Sequence, residues 1–336
     1  MKRNMKIWFE EALAADRKKP IPILSFPIAS KMGMTVAELL SSSEVQARGM
    51  KKLADSVDSW IALSFMDLSV EAEAFGAQVK CVGNEVPTII GQLLSSHEEV
   101  DALSVPQVGA ARTAIYVEGI RQTMPLITDR PVLAGCIGPF SLTGRLMDIT
   151  DIFIKCKKDP ELVHKVLDKA TQFIIEYAKA YKAAGANGIC MAEPLAGILS
   201  PKLIQQFSSD YVKKVIDAVQ DDEFAVVYHN CGNSVMHLLD SILTCGANAY
   251  HFGNAVDMET VLGKVPADII VMGNIDPASQ FCMGTPESIR QETLDKLKAC
   301  GSHKNFIISS GCDIPPHSPW ENIEAFFAAV EEFYDN

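Results

Sequence analysis

The sequence predicts a single (β/α)8 TIM barrel over residues 1–336, and three observations predict it. Short apolar, β-branched runs alternate with longer helical patterns, which is how a parallel βα repeat is written in sequence. Eight such runs can be counted, the number a closed barrel needs. No linker, low-complexity tract or charge block divides the chain, and no glycine-rich phosphate fingerprint follows the first run, which counts against a doubly wound open sheet.

Taken in order, residues 1–20 read as a charged amphipathic helix around Ile7, Trp8, Ala12 and Leu13, an N-terminal helical extension without the pattern of a secretory signal. Strand one is placed at 21–26. A helix starts at Thr35, with Glu38 three residues on as a capping box, and another runs over 43–55 with Ser43 as N-cap. Strand two is placed at 59–67. The next stretch, with Glu71, Glu73, Gly76, residues 87–94 and a helix over 108–123, is too long for a βα loop and reads as an insertion walling one end of the barrel. Strands three and four, 132–137 and 188–192, flank a helix over 160–184 that Gly185 stops. Strand five runs through Phe224-Ala225-Val226-Val227-Tyr228 into His229 and Cys231, and strands six to eight are 249–252, 269–272 and 306–310. Helices over 200–219, 235–244, 257–262, 286–300 and 319–334 fill the gaps.

Composition bounds the function. With 48% hydrophobic and 21% charged residues the chain can bury a full core, and a formal net charge of −12 argues against a broad nucleic-acid or anionic-membrane surface. No apolar run approaches the ~20 residues of a membrane span. Nine scattered cysteines, an odd number, read as free thiols in a reducing cytoplasm.

Chemistry in such barrels sits at the C-terminal ends of the strands. The polar residues expected there are Asp67, Glu193, His229, Cys231, His251, Asn274, Asp276 and Cys312. His229 and Cys231 are two apart, so on a strand both side chains leave one face. Cys312 follows Gly311 at the end of strand eight and converges on the same rim if the barrel closes. Two thiolates and an imidazole suit zinc better than calcium, magnesium or manganese, and three protein ligands with an open position describe a catalytic site. The competing reading keeps His229 as a satisfied core histidine and both cysteines as small buried hydrophobes. Asp67 is expected to orient substrate or handle protons, with a helix cap as the alternative. Glu193 is a catalytic candidate that holds substrate or approaches the metal as a displaceable fourth ligand, with loop capping as its alternative. His251 reads as a core or supporting histidine more than a ligand, and Asn274 and Asp276 as turn formers.

Four stretches then carry a family resemblance: residues 66–76 (Met-Asp-Leu-Ser-Val-Glu-Ala-Glu-Ala-Phe-Gly), Gly138-Pro139-Phe140-Ser141-Leu142, residues 272–277 (Met-Gly-Asn-Ile-Asp-Pro), and Gly311-Cys312-Asp313-Ile314-Pro315 with Pro319-Trp320-Glu321-Asn322. Together they resemble the uroporphyrinogen decarboxylase superfamily, over essentially the whole chain. Its branch with His-x-Cys and a distant Cys is the zinc-dependent methylcobamide:thiol methyltransferases, and His229, Cys231 and Cys312 fall on that branch's zinc positions. The resemblance implies zinc, a methylated corrinoid (methylcobamide) as methyl-donor co-substrate held on a corrinoid carrier protein, and a small thiol acceptor such as coenzyme M. Where the decarboxylases carry an arginine-rich N-terminal segment, this chain has Ser25-Phe26-Pro27-Ile28-Ala29-Ser30, which cannot pair with many carboxylates. A decarboxylase-like lyase and a non-catalytic corrinoid- or thiol-binding barrel stay open as alternatives.

Overall fold

A computed structural model of the chain describes residues 3–335. The first two residues of the helix expected over 1–20 lie outside the described residues, as does Asn336; within them the helix spans Met5–Ala14, capped by the Asn4 side chain accepting from the Ile7 N–H. At its other end Lys18 Nζ donates to the Ala12 carbonyl at 2.6 Å, satisfying one of the carbonyls a helix terminus leaves unpaired.

The framework is a curled, all-parallel sheet of seven strands. In chain order the strands are β1 (Ala62–Leu63), β2 (Gln78–Lys80), β3 (Thr88–Ile90), β4 (Val132–Ile137), β5 (Gly188–Ala192), β6 (Ala225–Asn230), β7 (Ala249–Phe252), β8 (Ile270–Ile275) and β9 (Phe306–Ser310). β2 and β3 form a separate antiparallel hairpin; the rest pair in the order β1-β4-β5-β6-β7-β8-β9. Strands buried on both faces coincide with the apolar runs: β4, β5, β7 and β9 have the expected bounds.

Strand one of the expected eight is not a ladder strand. Residues 20–24 nevertheless lie between β9 and β1, because Ile21 N donates to the Ile308 carbonyl at 3.1 Å on one side and Trp60 N donates to the Pro20 carbonyl at 3.3 Å on the other. Alternate residues of a strand face the same neighbour, so Pro20 and Pro22 both face β1, and neither has an N–H to donate. The segment closes the barrel with single bonds instead of a ladder.

The insertion between β1 and β4 holds the helix Val70–Ala74, the β2–β3 hairpin, and the helices His97–Ala102 and Thr113–Thr123. Ser42, not Ser43, caps the helix Ser43–Ser56: its backbone is extended and its hydroxyl accepts from Val45 N. Two further helices, Pro139–Met147 and Ile149–Lys158, occupy a stretch where sequence patterning marks no element. They meet at Asp148, held at φ 97°, whose carboxylate accepts from Thr150 and Asp151 N–H groups.

Packing falls into two layers. Ile23, Leu63, Leu133, Cys190, Val227, Ala249, Met272 and Ile307 fill the inside of the barrel, while a larger cluster fills the space between sheet and helices. Above the inner plug, toward the C-terminal strand ends, the inward side chains become polar: His229, His251, Asn274 and Ser309, each at most 2% exposed. None of the described helices is long and apolar enough to cross a membrane.

Candidate metal centre

β6 is buried along its length, and its alternating side chains put His229 in line with Val227 on the inner face. Cys231 stands one residue past the strand end, and Cys312 two residues past the end of β9. The ligand atoms of His229, Cys231 and Cys312 lie within 4.8 Å of one another, a group that could hold a metal ion. Cys312 Sγ is 3.5 Å from His229 Nε2. In a tetrahedral shell with zinc-type bond lengths, a sulfur and an imidazole nitrogen stand about 3.6 Å apart, so the donor separation and donor chemistry both fit zinc.

The two thiols lie beside each other in this group. Cys231 is lowered, chiefly because Cys312 bonds to it, while the bond to Cys231 together with burial pushes Cys312 up to about 12. Beside them, Asp313 is pushed well above the usual carboxylate range by burial and by Cys312, and accepts from Ser25 Oγ at 3.0 Å.

His251 pairs with His229 across β6 and β7. Its Nδ1 is 2.8 Å from His229 Nδ1, and its Nε2 is 2.7 Å from Ser309 Oγ, which in turn is 2.7 Å from the Ile21 carbonyl. Burial, then the neighbouring His229, lowers His251 well below an ordinary imidazole, so the ring is neutral. With both ring nitrogens engaged, it has none to offer a metal.

Glu193 is fully buried at the rim, but its carboxylate turns to the N-terminus of the helix Pro139–Met147. Oε1 accepts from Phe140 N at 2.8 Å, and Oε2 accepts from Ser141 N at 2.9 Å and Ser141 Oγ at 2.7 Å. This route exists because position 138 is glycine: a Cβ there would stand 2.3 Å from Glu193 Cγ. Burial pushes Glu193 up to about 7, against the lowering effect of the Ser141 and Phe140 bonds.

Asp67 sits elsewhere on the rim, with all four of its acceptor positions taken. Oδ1 accepts from Ser69 N and Ser69 Oγ; Oδ2 accepts from Arg112 and from Tyr116 Oη at 2.8 Å. Arg112 also donates to Glu73, so Asp67 ties the insertion to the barrel. Asn274 Nδ2 donates to the Gly253 and Val256 carbonyls, and Asp276 accepts from Ala278, Ser279 and Asn254; both shape loops. The structure thus brings His229, Cys231 and Cys312 together and keeps Asp67 and Glu193 out of that group. Sequence reasoning passed over Ser309 and Arg112. Nothing in their local sequence marks them, because their partners lie 58 and 45 residues away.

The profile for uroporphyrinogen decarboxylase (URO-D) matches residues 23–333. The chain belongs to the uroporphyrinogen decarboxylase family. Within this family it is 26% identical to the methylcobamide:CoM methyltransferase MtbA of Methanosarcina mazei, over 96% of the chain and 97% of that protein. It is also 26% identical to a uroporphyrinogen decarboxylase of Coxiella burnetii, over 81% of the chain and 77% of that protein. Among solved structures, a methyltransferase from Methanosarcina mazei superposes with a TM-score of 0.87 at 22% identity, covering 98% of both chains, which shows the family's barrel fold.

Proposed function

We propose that the chain is a zinc-dependent methyltransferase that moves a methyl group from a methylated corrinoid on a carrier protein to a small thiol such as coenzyme M. The observation that carries the reading is the His229, Cys231, Cys312 group at the rim, with both further ligand candidates turned away. His251 spends its two nitrogens on His229 and Ser309, and Glu193 spends its carboxylate on a helix N-terminus. A shell of three protein ligands leaves a position for a substrate sulfur. Similarity to a methylcobamide:CoM methyltransferase along nearly the whole chain supports the same activity.

His229, Cys231 and Cys312 would hold the metal. Zinc bound there would deliver a thiol as its thiolate at neutral pH, where free thiols of pKa about 8.5 are mostly protonated. The chemistry such a site would supply is a nucleophilic sulfur for the methyl carbon of the corrinoid substrate: the S–C bond would form as the Co–C bond breaks, with the electron pair left on cobalt. Two cysteine thiolates lower the net charge of the site, which keeps the substrate sulfur nucleophilic and disfavours hydrolytic chemistry. Asp67 and Glu193 serve as orienting groups: Asp67 through Arg112 fixes the wall beside the mouth, and Glu193 fixes the helix Pro139–Met147.

Adjacent thiols such as Cys231 and Cys312 survive unoxidised in a reducing cytoplasm, and all nine cysteines are free. The test is zinc quantification in protein purified without added metal, paired with thiol-dependent loss of the methylcobalamin absorption spectrum. Zinc-free protein that decarboxylates a porphyrinogen would establish the lyase instead, and a full zinc site without demethylation by any thiol would establish a binding role.

A further inference from the structure

We infer that His251 and Ser309 are positioning residues that set the tautomer of His229 and so point its Nε2 lone pair at the metal position. The inference rests on the metal reading above and deepens it. Its premise is a line of short contacts: the Ile21 carbonyl to Ser309 Oγ at 2.7 Å, Ser309 Oγ to His251 Nε2 at 2.7 Å, and His251 Nδ1 to His229 Nδ1 at 2.8 Å.

The line has one end that cannot be reversed. A carbonyl oxygen has no proton, so the Ser309 hydroxyl must donate to Ile21. Ser309 has only that proton, so toward His251 its oxygen can only accept. His251 therefore carries its proton on Nε2. His251 is 2% exposed and its ring nitrogens meet His229 and Ser309, not a carboxylate that would hold a second proton, so it carries one ring proton; that leaves His251 Nδ1 as an acceptor, and the 2.8 Å contact then requires His229 to hold its proton on Nδ1. His229 Nε2 is left bare, and it faces Cys312 Sγ at 3.5 Å. That is the tautomer a metal ligand needs. The opposite arrangement would set two lone pairs against each other at 2.7 Å between Ser309 and Ile21.

The line also ties the metal group to the closure of the barrel. Ile21 belongs to the segment that substitutes for the missing ladder strand, and its own N–H bonds to Ile308 on β9. The carbonyl that orients the line is thus held by the strand that carries Ser309. Hydrogen bonds of this kind to the free nitrogen of a metal-binding histidine change metal affinity by roughly 10–100-fold when removed.

The test reads the ring protons directly. Long-range 1H–15N spectra of the metal-stripped wild-type chain, labelled with 15N-histidine, should show His229 as the Nδ1–H tautomer and His251 as the Nε2–H tautomer. Ser309→Ala should mix the His251 tautomers and weaken zinc, measured by competition with a chromophoric chelator, by roughly 10–100-fold. His251→Leu should weaken it similarly. His251→Asn, which sets an amide oxygen near the place of Nδ1, should recover most of the affinity. An Nδ1–H tautomer at His251 in the wild-type chain, or unchanged zinc affinity in folded Ser309→Ala and His251→Leu variants, would overturn the inference. A wild-type chain that takes up no zinc would overturn the metal reading, and the tautomers of the metal-free chain would still decide the direction of the line.

Discussion

Cys312 Sγ stands 3.5 Å from His229 Nε2 although 83 residues separate the two in sequence. Two strand ends of one barrel produce this contact, and Cys231 joins it from the same strand end as His229. The expected metal content is about one zinc per chain, with sulfur scatterers at about 2.3 Å and imidazole nitrogen at about 2.0–2.1 Å in the X-ray absorption spectrum. At saturating thiol a third sulfur should replace a light atom in the shell. A shell already closed by four protein ligands, unchanged by thiol, would make the metal structural and sink the proposed mechanism.

Cys312→Ala separates the chemistry from the fold. Cys312 is half-buried outside the two hydrophobic clusters, so its loss should cost on the order of 1 kcal/mol of stability in a thermal melt. Methyl transfer should fall below detection, and zinc retention should drop with it. A variant that keeps wild-type turnover would remove Cys312 from the site.

How far the sequence reaches is visible at particular residues. β4, β5, β7 and β9 were legible to the residue because strands buried on both faces are unbroken apolar runs with turn residues at each end. The run at 21–26 reads as a ladder strand because its apolar pattern is strand-like; it is not one, and the two missing N–H groups of Pro20 and Pro22 matter only once its neighbours are known. The helices Pro139–Met147 and Ile149–Lys158 went unmarked, although Pro139 at the first turn and Asp148 ahead of Thr150-Asp151 are helix-start signals. The meeting of His229, Cys231 and Cys312 was legible from residue types and strand ends. The Ser309 to His251 contact was not, because it depends on how neighbouring strands are staggered in space.

Glu71 gives a pH prediction with a definite sign. It is wholly buried; its Oε1 accepts from Ile137 N at 2.9 Å, and its Oε2 has no hydrogen-bond partner. Burial pushes its carboxyl up from 4.5 to about 7, with the Ile137 bond opposing. Below about pH 4.5 the group is protonated folded or unfolded and costs nothing. As pH rises through the window from there to about 7, the unfolded chain releases the proton while the folded chain keeps it, so stability falls; above that window the full penalty is present. Glu71→Gln imitates the protonated acid and keeps the acceptor for Ile137. Its stability relative to wild type, from chemical denaturation, should therefore rise by roughly 1–3 kcal/mol across the window. A flat difference would mean that Glu71 titrates normally.

Gly253→Ala tests the metal group without touching a ligand. Gly253 follows β7 beside the end of β6, and a Cβ built there would lie 2.6 Å from Cys231 Cα and 2.9 Å from Cys231 Cβ. Backbone at that distance cannot rotate away as a side chain would, so the end of β6 must move and carry the thiol with it. Sites of this kind hold their geometry to about 0.5 Å, and a displacement of that size should lower zinc affinity by roughly tenfold or more. Overpacking should also cost about 1–3 kcal/mol of stability. Gly246→Ala supplies the control, because Gly246 has φ +75° and no atom within 4 Å of the added Cβ. That variant is strained at the backbone alone and should lose on the order of 1 kcal/mol while binding zinc as wild type does. Chelator competition on the two variants, with melts run in parallel, distinguishes them. If Gly253→Ala binds zinc as tightly as Gly246→Ala, then Cys231 is not held in place by its neighbour, and the close approach of β6 and β7 is packing without consequence for the metal.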